Sequence, residues 1–186
     1  MPIKTHIVAF NANEYCDRLA PLYPDVAFSC DLAKGTFSDV TYECDILISF
    51  GLILNAEIFR RNQNIRWVQA LGPGTDGIDN QPDLAPGAVL TSMRGIHTPQ
   101  MTEMAFLQML AFNRNLPKIL DNQRGHVWQR WPGKILEGKR GAILGLGLIA
   151  EALSKRCKAF GMEVIGITGT PREADGFDAV RAYDDM

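Results

Sequence analysis

The chain has 186 residues, 46% of them hydrophobic and 22% charged, enough to bury one large core or two small ones. Its formal net charge is −2 with no dense run of Lys or Arg, which argues against a nucleic-acid partner. The apolar stretch before Asn11 is too short for a signal segment, and no later apolar run reaches a membrane span, so a soluble cytoplasmic protein with no membrane partner is expected.

In chain order, the runs Thr5 to Phe10, Val26 to Cys30, Asp45 to Phe50, Ile65 to Leu71 and Ala88 to Ser92 read as strands. They are short and nearly continuous in hydrophobicity, as strands covered on both faces are. Residues 13–23 and 55–63 supply crossover helices, with Asn13 and Asn55 as N-caps. The segment from Asp31 to Glu43 contains Gly35, shows no period, and reads as irregular. Alternation of β and α predicts a parallel α/β sheet.

Cys16, Cys30, Cys44 and Cys157 form no C-x-x-C and pair with no histidine at metal spacing. They read as reduced, mostly buried thiols, and no metal is expected.

A long helix is predicted next, capped by Thr98 with Pro99 at its first position, where a missing N–H is harmless. Met101, Met104, Phe106, Leu107, Met109, Leu110 and Phe112 make it apolar nearly all round. Such a helix is expected to be buried on several sides, between two domains or against a copy of itself in a homodimer. Its methionines also suit an adaptable groove, but core packing is the preferred reading. Beyond Pro117 comes a polar connection in which Trp128 and Trp131 read as packing anchors.

The last segment reads strand, helix, strand. "GAILGLG" (141–147) is strand and turn, residues 148–161 are a helix stopped by Gly161, and residues 162–168 are the next strand; residues 177–183 begin a third. Within it, Gly145-x-Gly147-x-x-Ala150 has the context of a dinucleotide fingerprint. Gly145 permits the tight turn, Gly147 lets a pyrophosphate approach the amides of Leu148 and Ile149, and Ala150 allows close helix–strand packing. A glycine-rich turn without ligand is the plainer alternative. After the second strand stand Thr168, Gly169, Thr170, Pro171 and Arg172, with no carboxylate before Glu173. The hydroxyls and Arg172 could hold a 2′-phosphate, which favours NADP slightly over NAD; Arg172 as a solvated loop charge is the other reading.

The order of features resembles the D-isomer-specific 2-hydroxyacid dehydrogenase family from about Asp45 onward. Three blocks carry the likeness: "LGPGTDGID" (71–79), "RGIHTPQMTEMAFLQMLAFNRNLP" (94–117) with Thr98 and Glu103 at matching positions, and "LEGKRGAILGLGLIAEALSKRCKAFGMEVIGIT" (136–168). The resemblance implies a flavodoxin-like parallel-sheet substrate domain over 1–97, an interdomain and dimerisation helix over 98–124, and an incomplete Rossmann cofactor domain over 125–186. It implies NAD(P) as cofactor, bound at Gly145, Gly147, Leu148, Ile149, Thr168, Thr170, Arg172 and Thr98. A small 2-hydroxy or 2-keto acid is the implied substrate, its carboxylate held at Gly74 and Thr75 with Phe50 and Gly51 alongside. Pro73 departs from the pattern, because it lacks an N–H.

The family's carboxylate-clamping Arg, its His acid/base and the orienting Glu all follow the fingerprint, and nothing after Ala150 matches them. His6, His97 and His126 precede it, and Arg94 and His97 fall where the family has a hinge, so no catalytic residue is assigned within the chain. The 186 residues are expected to be inactive alone. A non-catalytic, dinucleotide-responsive binding or dimerisation module on the same scaffold is the alternative.

Overall fold

A computed structural model describes residues 2–33 and 37–185, so Gly35 lies outside the described residues. The chain divides into two compact units, Met1–Arg94 and Gly95–Met186.

In the first unit, five strands run β1 (Ile3–Ala9), β2 (Val26–Leu32), β3 (Ile46–Ser49), β4 (Trp67–Ala70) and β5 (Val89–Ser92). All pair in parallel, in the order β2-β1-β3-β4-β5. That is the flavodoxin-like order. Helix α1 (Ala12–Leu19) packs with Ile7, Ala9 and Leu71 on one face. Helix α2 (Ala56–Arg61) packs on the other through Ile58 and Phe59, against Val8, Leu47 and Val68. Alternate β1 residues therefore feed two separate cores, as a period of two dictates.

Asn55 caps α2 as expected, its side chain accepting the Ile58 N–H at 3.2 Å. Asn13 does not cap α1, which is preceded by Asn11 without a side-chain cap bond. The stretch read as irregular holds two regular pieces: β2 continues to Leu32, and a 3₁₀ turn spans Asp39–Tyr42.

That turn is fastened by a buried polar network. His6 is 1% exposed. Its Nδ1 lies 2.8 Å from Ser29 Oγ and its Nε2 2.9 Å from Thr41 Oγ1 and 3.3 Å from Asp31 Oδ2. Asp31 also accepts the Ser38 N–H at 2.7 Å, while the fully buried Asn62 donates to the carbonyls of Thr41 and Cys44. Burial holds the His6 pKa below its ordinary 6.5 against the upward pull of Asp31. Burial raises Asp31, but its bonds from Ser38, then the His6 charge and Thr41, outweigh it and leave the carboxyl below its ordinary value.

In the second unit, α3 (Thr98–Arg114) and α4 (Leu116–Arg124) precede β6 (Arg140–Leu144), α5 (Leu148–Ala159), β7 (Glu163–Thr168) and β8 (Ala179–Ala182). The strands pair in parallel in the order β6-β7-β8, as in one half of a doubly wound sheet. The core joins Phe106, Leu136, Cys157, Met162 and Val164. Phe106 and Phe160 rings meet at 4.6 Å. Gly161, at φ +69°, ends α5 where the sequence places its stop.

Several expectations change here. The single helix over 98–124 is broken at Asn115, which adopts φ +54°, ψ +49°; Pro117 then sits in the first turn of α4, where it needs no hydrogen bond. Thr98 is inside α3, and the preceding His97 is its cap residue. Of the α3 apolar residues only Phe106 is buried, while Met101, Met104, Leu107 and Phe112 are at least half exposed. Trp128, read as an anchor, is 90% exposed; Trp131 is half-buried beneath Lys118, whose Nζ lies 4.9 Å from the ring centre. Cys44 and Cys157 are buried, but Cys16 and Cys30 only partly.

Because folded His6 resists protonation and the unfolded chain does not, its contribution to stability is complete above pH 6.5 and declines as the pH falls toward the lower folded value. Asp31 adds a second loss below pH 3.8. Circular-dichroism melts should thus show stability falling from about pH 6.5 downward, and His6→Gln should flatten that first limb while leaving the part of the second that the Ser38 bonds supply. A slope unchanged by His6→Gln would refute the assignment.

Candidate functional site

Parallel strands put their C-terminal ends at one sheet edge, and in open α/β sheets ligands bind outside that edge where the strand order reverses. In the first unit the reversal lies between β1 and β3. Phe50 follows β3 directly and precedes a 3₁₀ turn, Gly51–Ile53. The neighbouring β4 continues through Leu71, whose N–H donates to Ser49 O at 2.8 Å, into the loop 72–79.

This loop closes on itself and on Gly51. Thr75 O accepts the N–H groups of Ile78 and Asp79, and Thr75 Oγ1 donates to Asp79 Oδ2 at 2.8 Å. A Cβ on Gly51 would stand 1.9 Å from Asp76 O, and one on Gly77, itself at φ +83°, 2.8 Å from Gly51 O. The two loops thus meet backbone to backbone, so Phe50, Gly51, Gly74 and Thr75 fall within one small region at this edge. Sequence reading missed Asp76. Its Oδ2 lies 3.0 Å from where a Gly74 Cβ would be.

In the second unit, Gly145 turns the chain at φ +87° and Gly147 is the residue before α5. A Cβ on either would meet nothing within 4 Å. The first helical bond of α5 runs from Glu151 N to Gly147 O at 3.0 Å, so the amides of Leu148, Ile149 and Ala150 lie ahead of it without a helical acceptor. With the dipole of a 12-residue helix behind them, they favour an anion. Leu148 and Ile149 are exposed, whereas Ala150 is buried and brings the helix onto the sheet. Open space beside the glycines and free amides fit a dinucleotide pyrophosphate.

Arg172 reaches back to this turn. Its Nη2 donates to Leu146 O at 2.7 Å and to Glu151 Oε1 at 3.1 Å. The guanidinium is therefore a tie between the turn after β7 and the start of α5, and Glu151 is the partner that sequence reading did not identify. Thr168 is half-buried and Thr170 exposed. Tyr183, also unanticipated, packs against Gly169: its Cε2 lies 3.4 Å from the position of a Cβ there. Thr98 stands at the start of α3, two residues beyond a loop that nears α5, where a Gly95 Cβ would lie 3.5 Å from Leu148 Cδ1.

Among the described residues no group of three or more His, Cys, Asp or Glu side chains is placed to hold a metal. No helix is long and apolar enough to cross a membrane.

A parallel α/β nucleotide-binding architecture with this turn has relatives. Residues 106–186 match the family model described as D-isomer specific 2-hydroxyacid dehydrogenase, NAD binding domain. The chain is 26% identical over 166 residues to a D-3-phosphoglycerate dehydrogenase of Methanocaldococcus jannaschii, covering 87% of this chain and 32% of that one. It is 29% identical over 124 residues to a hydroxypyruvate reductase of Thermotoga maritima, covering 66% and 40%. A crystal structure of a D-isomer specific 2-hydroxyacid dehydrogenase family protein from Aeromonas salmonicida superposes with a TM-score of 0.86 at 26% identity, over 99% of this chain and 59% of that one. A D-lactate dehydrogenase from Aquifex aeolicus, complexed with NAD and lactic acid, shares the fold at 16% identity and a TM-score of 0.81. The chain is thus similar to D-isomer specific 2-hydroxyacid dehydrogenases, with residues 106–186 matching the family's NAD binding domain. It spans about a third to three fifths of the length of these relatives.

Gly51→Ala should force the loop around Asp76 away and cost about 1–3 kcal/mol of stability. Gly147→Val, at φ −86° with open space, should change stability by less than about 1 kcal/mol. Denaturant melts of the two variants measure the contrast; equal losses would contradict the packing described.

Proposed function

We propose that the chain forms the substrate-loop and nucleotide-entry parts of an NAD(P)-dependent oxidoreductase that interconverts a 2-hydroxy acid and its 2-keto acid. The observation that carries this is the Gly145–Gly147 turn, with its left-handed glycine, its open side and the free amides of Leu148 and Ile149. A bound nicotinamide would supply the hydride chemistry. The chain's own share is to hold the pyrophosphate at α5 and a carboxylate at the amides of Gly74 and Thr75, with Phe50 and Gly51 shaping that loop. Thr98, Thr168 and Thr170 complete the nucleotide contacts in this reading.

No residue among these 186 is assigned the proton transfer in this reading. In support, His6 is enclosed by Ser29, Thr41 and Asp31, and its ring is not available to a substrate. The chain alone is expected to bind nucleotide without turnover. In this reading it is cytoplasmic, and two copies associate through α3, whose exposed Met101, Met104, Leu107 and Phe112 supply an apolar face.

NADP remains the slightly preferred nucleotide because Arg172 is the cation nearest the hydroxyls of Thr168 and Thr170 in sequence. Since Glu151 already shares that guanidinium, a 2′-phosphate competes with a carboxylate. Glu151→Gln should therefore strengthen NADPH relative to NADH about two- to fivefold.

Titration calorimetry with NADH and NADPH tests the core of the proposal. Micromolar to millimolar binding by the chain, lost at least about tenfold in Gly147→Val, is the expected result. Undiminished binding in that variant, or none by the parent chain, would defeat it. Leu107→Glu should dissociate a dimer in analytical ultracentrifugation.

A further inference from the structure

Apart from both candidate regions, the first unit holds two incompletely buried thiols that neither loop uses. Cys16 lies on α1 and Cys30 on the edge strand β2, and both are partly exposed. They pack in one layer with Ile7, Ala9, Tyr15 and Leu19. Asn13 fixes their relation: its Oδ1 accepts the Cys30 thiol at 3.2 Å. Cys16 follows Asn13 by three residues, the spacing that puts two side chains on one helix face. The Cys30 sulfur therefore stands against the α1 face that carries Cys16. Burial first, and then the neighbouring Cys30 thiol, push Cys16 up to about 12.

The geometry points to a reversible Cys16–Cys30 disulfide, a modification site that fastens α1 to β2 when a peroxide oxidises the pair and a low-molecular-weight thiol reopens it. Cys16 stays protonated near neutral pH, and the first attack is assigned to Cys30. The Cys30 thiolate attacks one peroxide oxygen, the O–O bond breaks, and hydroxide leaves while Cys30 becomes a sulfenic acid. The Cys16 sulfur then attacks the Cys30 sulfur. The S–S bond forms, the S–O bond breaks, and the Cys16 proton leaves with the hydroxide as water. Two thiols and one hydrogen peroxide give one disulfide and two waters. Reduction reverses this as two external thiols become their own disulfide and both cysteines regain protons. Cys44 and Cys157 are buried away from oxidant and should remain thiols.

Oxidation of the whole chain with stoichiometric hydrogen peroxide, followed by alkylation and peptide mass spectrometry, decides the matter. The expected result is a linked pair of peptides carrying Cys16 and Cys30, a mass loss of about 2 Da reversed by reductant, and a melting temperature raised by about 5 °C or more. In Cys16→Ser the same treatment should leave Cys30 as a sulfenic acid trapped by dimedone. The inference fails if both cysteines of the oxidised parent chain remain open to alkylation. It also fails if they oxidise separately to sulfinic acids or link only between molecules. The parent-chain result stands even where the serine variant does not fold.

Discussion

A parallel strand must be re-entered from the same end at which its neighbour began, so each connection crosses the full length of the sheet. In this chain every strand pairing is parallel. The loops that leave the strands therefore collect at one edge of each sheet, whatever their sequence. That is why Phe50 and Gly51 after β3 meet the loop after β4, and why the Gly145–Gly147 turn after β6 lies beside the Thr168–Arg172 segment after β7. The side-chain period of two adds the second half of the arrangement. Ile7 and Val8 look to opposite cores, so the helices must cover both faces and the edge is the place left for a ligand.

The strands were legible because they are continuous apolar runs, and the fingerprint because strand, turn and helix follow at fixed spacing. The interruption at Asn115 was not legible from periodicity. A residue in the left-handed region ends one helix and starts another without disturbing the apolar pattern, and only Pro117 hinted at it. The role of Arg172 was hidden for a different reason. Its partner Glu151 is 21 residues away and becomes a neighbour only when β7 pairs beside β6. Asp76 and Tyr183 belong to the same class, since each is defined by proximity to a glycine elsewhere in the fold. Trp128 shows the opposite error: large aromatic surface was read as burial, and the side chain stands in solvent.

The 3₁₀ turn at Asp39–Tyr42 was missed because its side-chain anchors are distant in sequence. Its anchor is His6 on β1, reached through Thr41 Oγ1 and supported by Asp31 on β2. A buried imidazole costs desolvation, and this one is satisfied at both nitrogens, which is what makes a polar residue in the middle of an apolar strand compatible with folding.

Glycine carries two unrelated messages in this chain. At Gly51 a side chain is excluded by the protein's own backbone, since Asp76 O occupies the space, and the residue would be required in any protein with this loop packing. At Gly147 the dihedral angles suit any residue and the space is vacant, so neither strain nor packing explains a glycine there. Folding requires the first glycine and is indifferent to the second. A glycine to which folding is indifferent, placed ahead of three helix amides that have no helical acceptor, is most simply accounted for by an anion that must approach closer than a Cβ would allow.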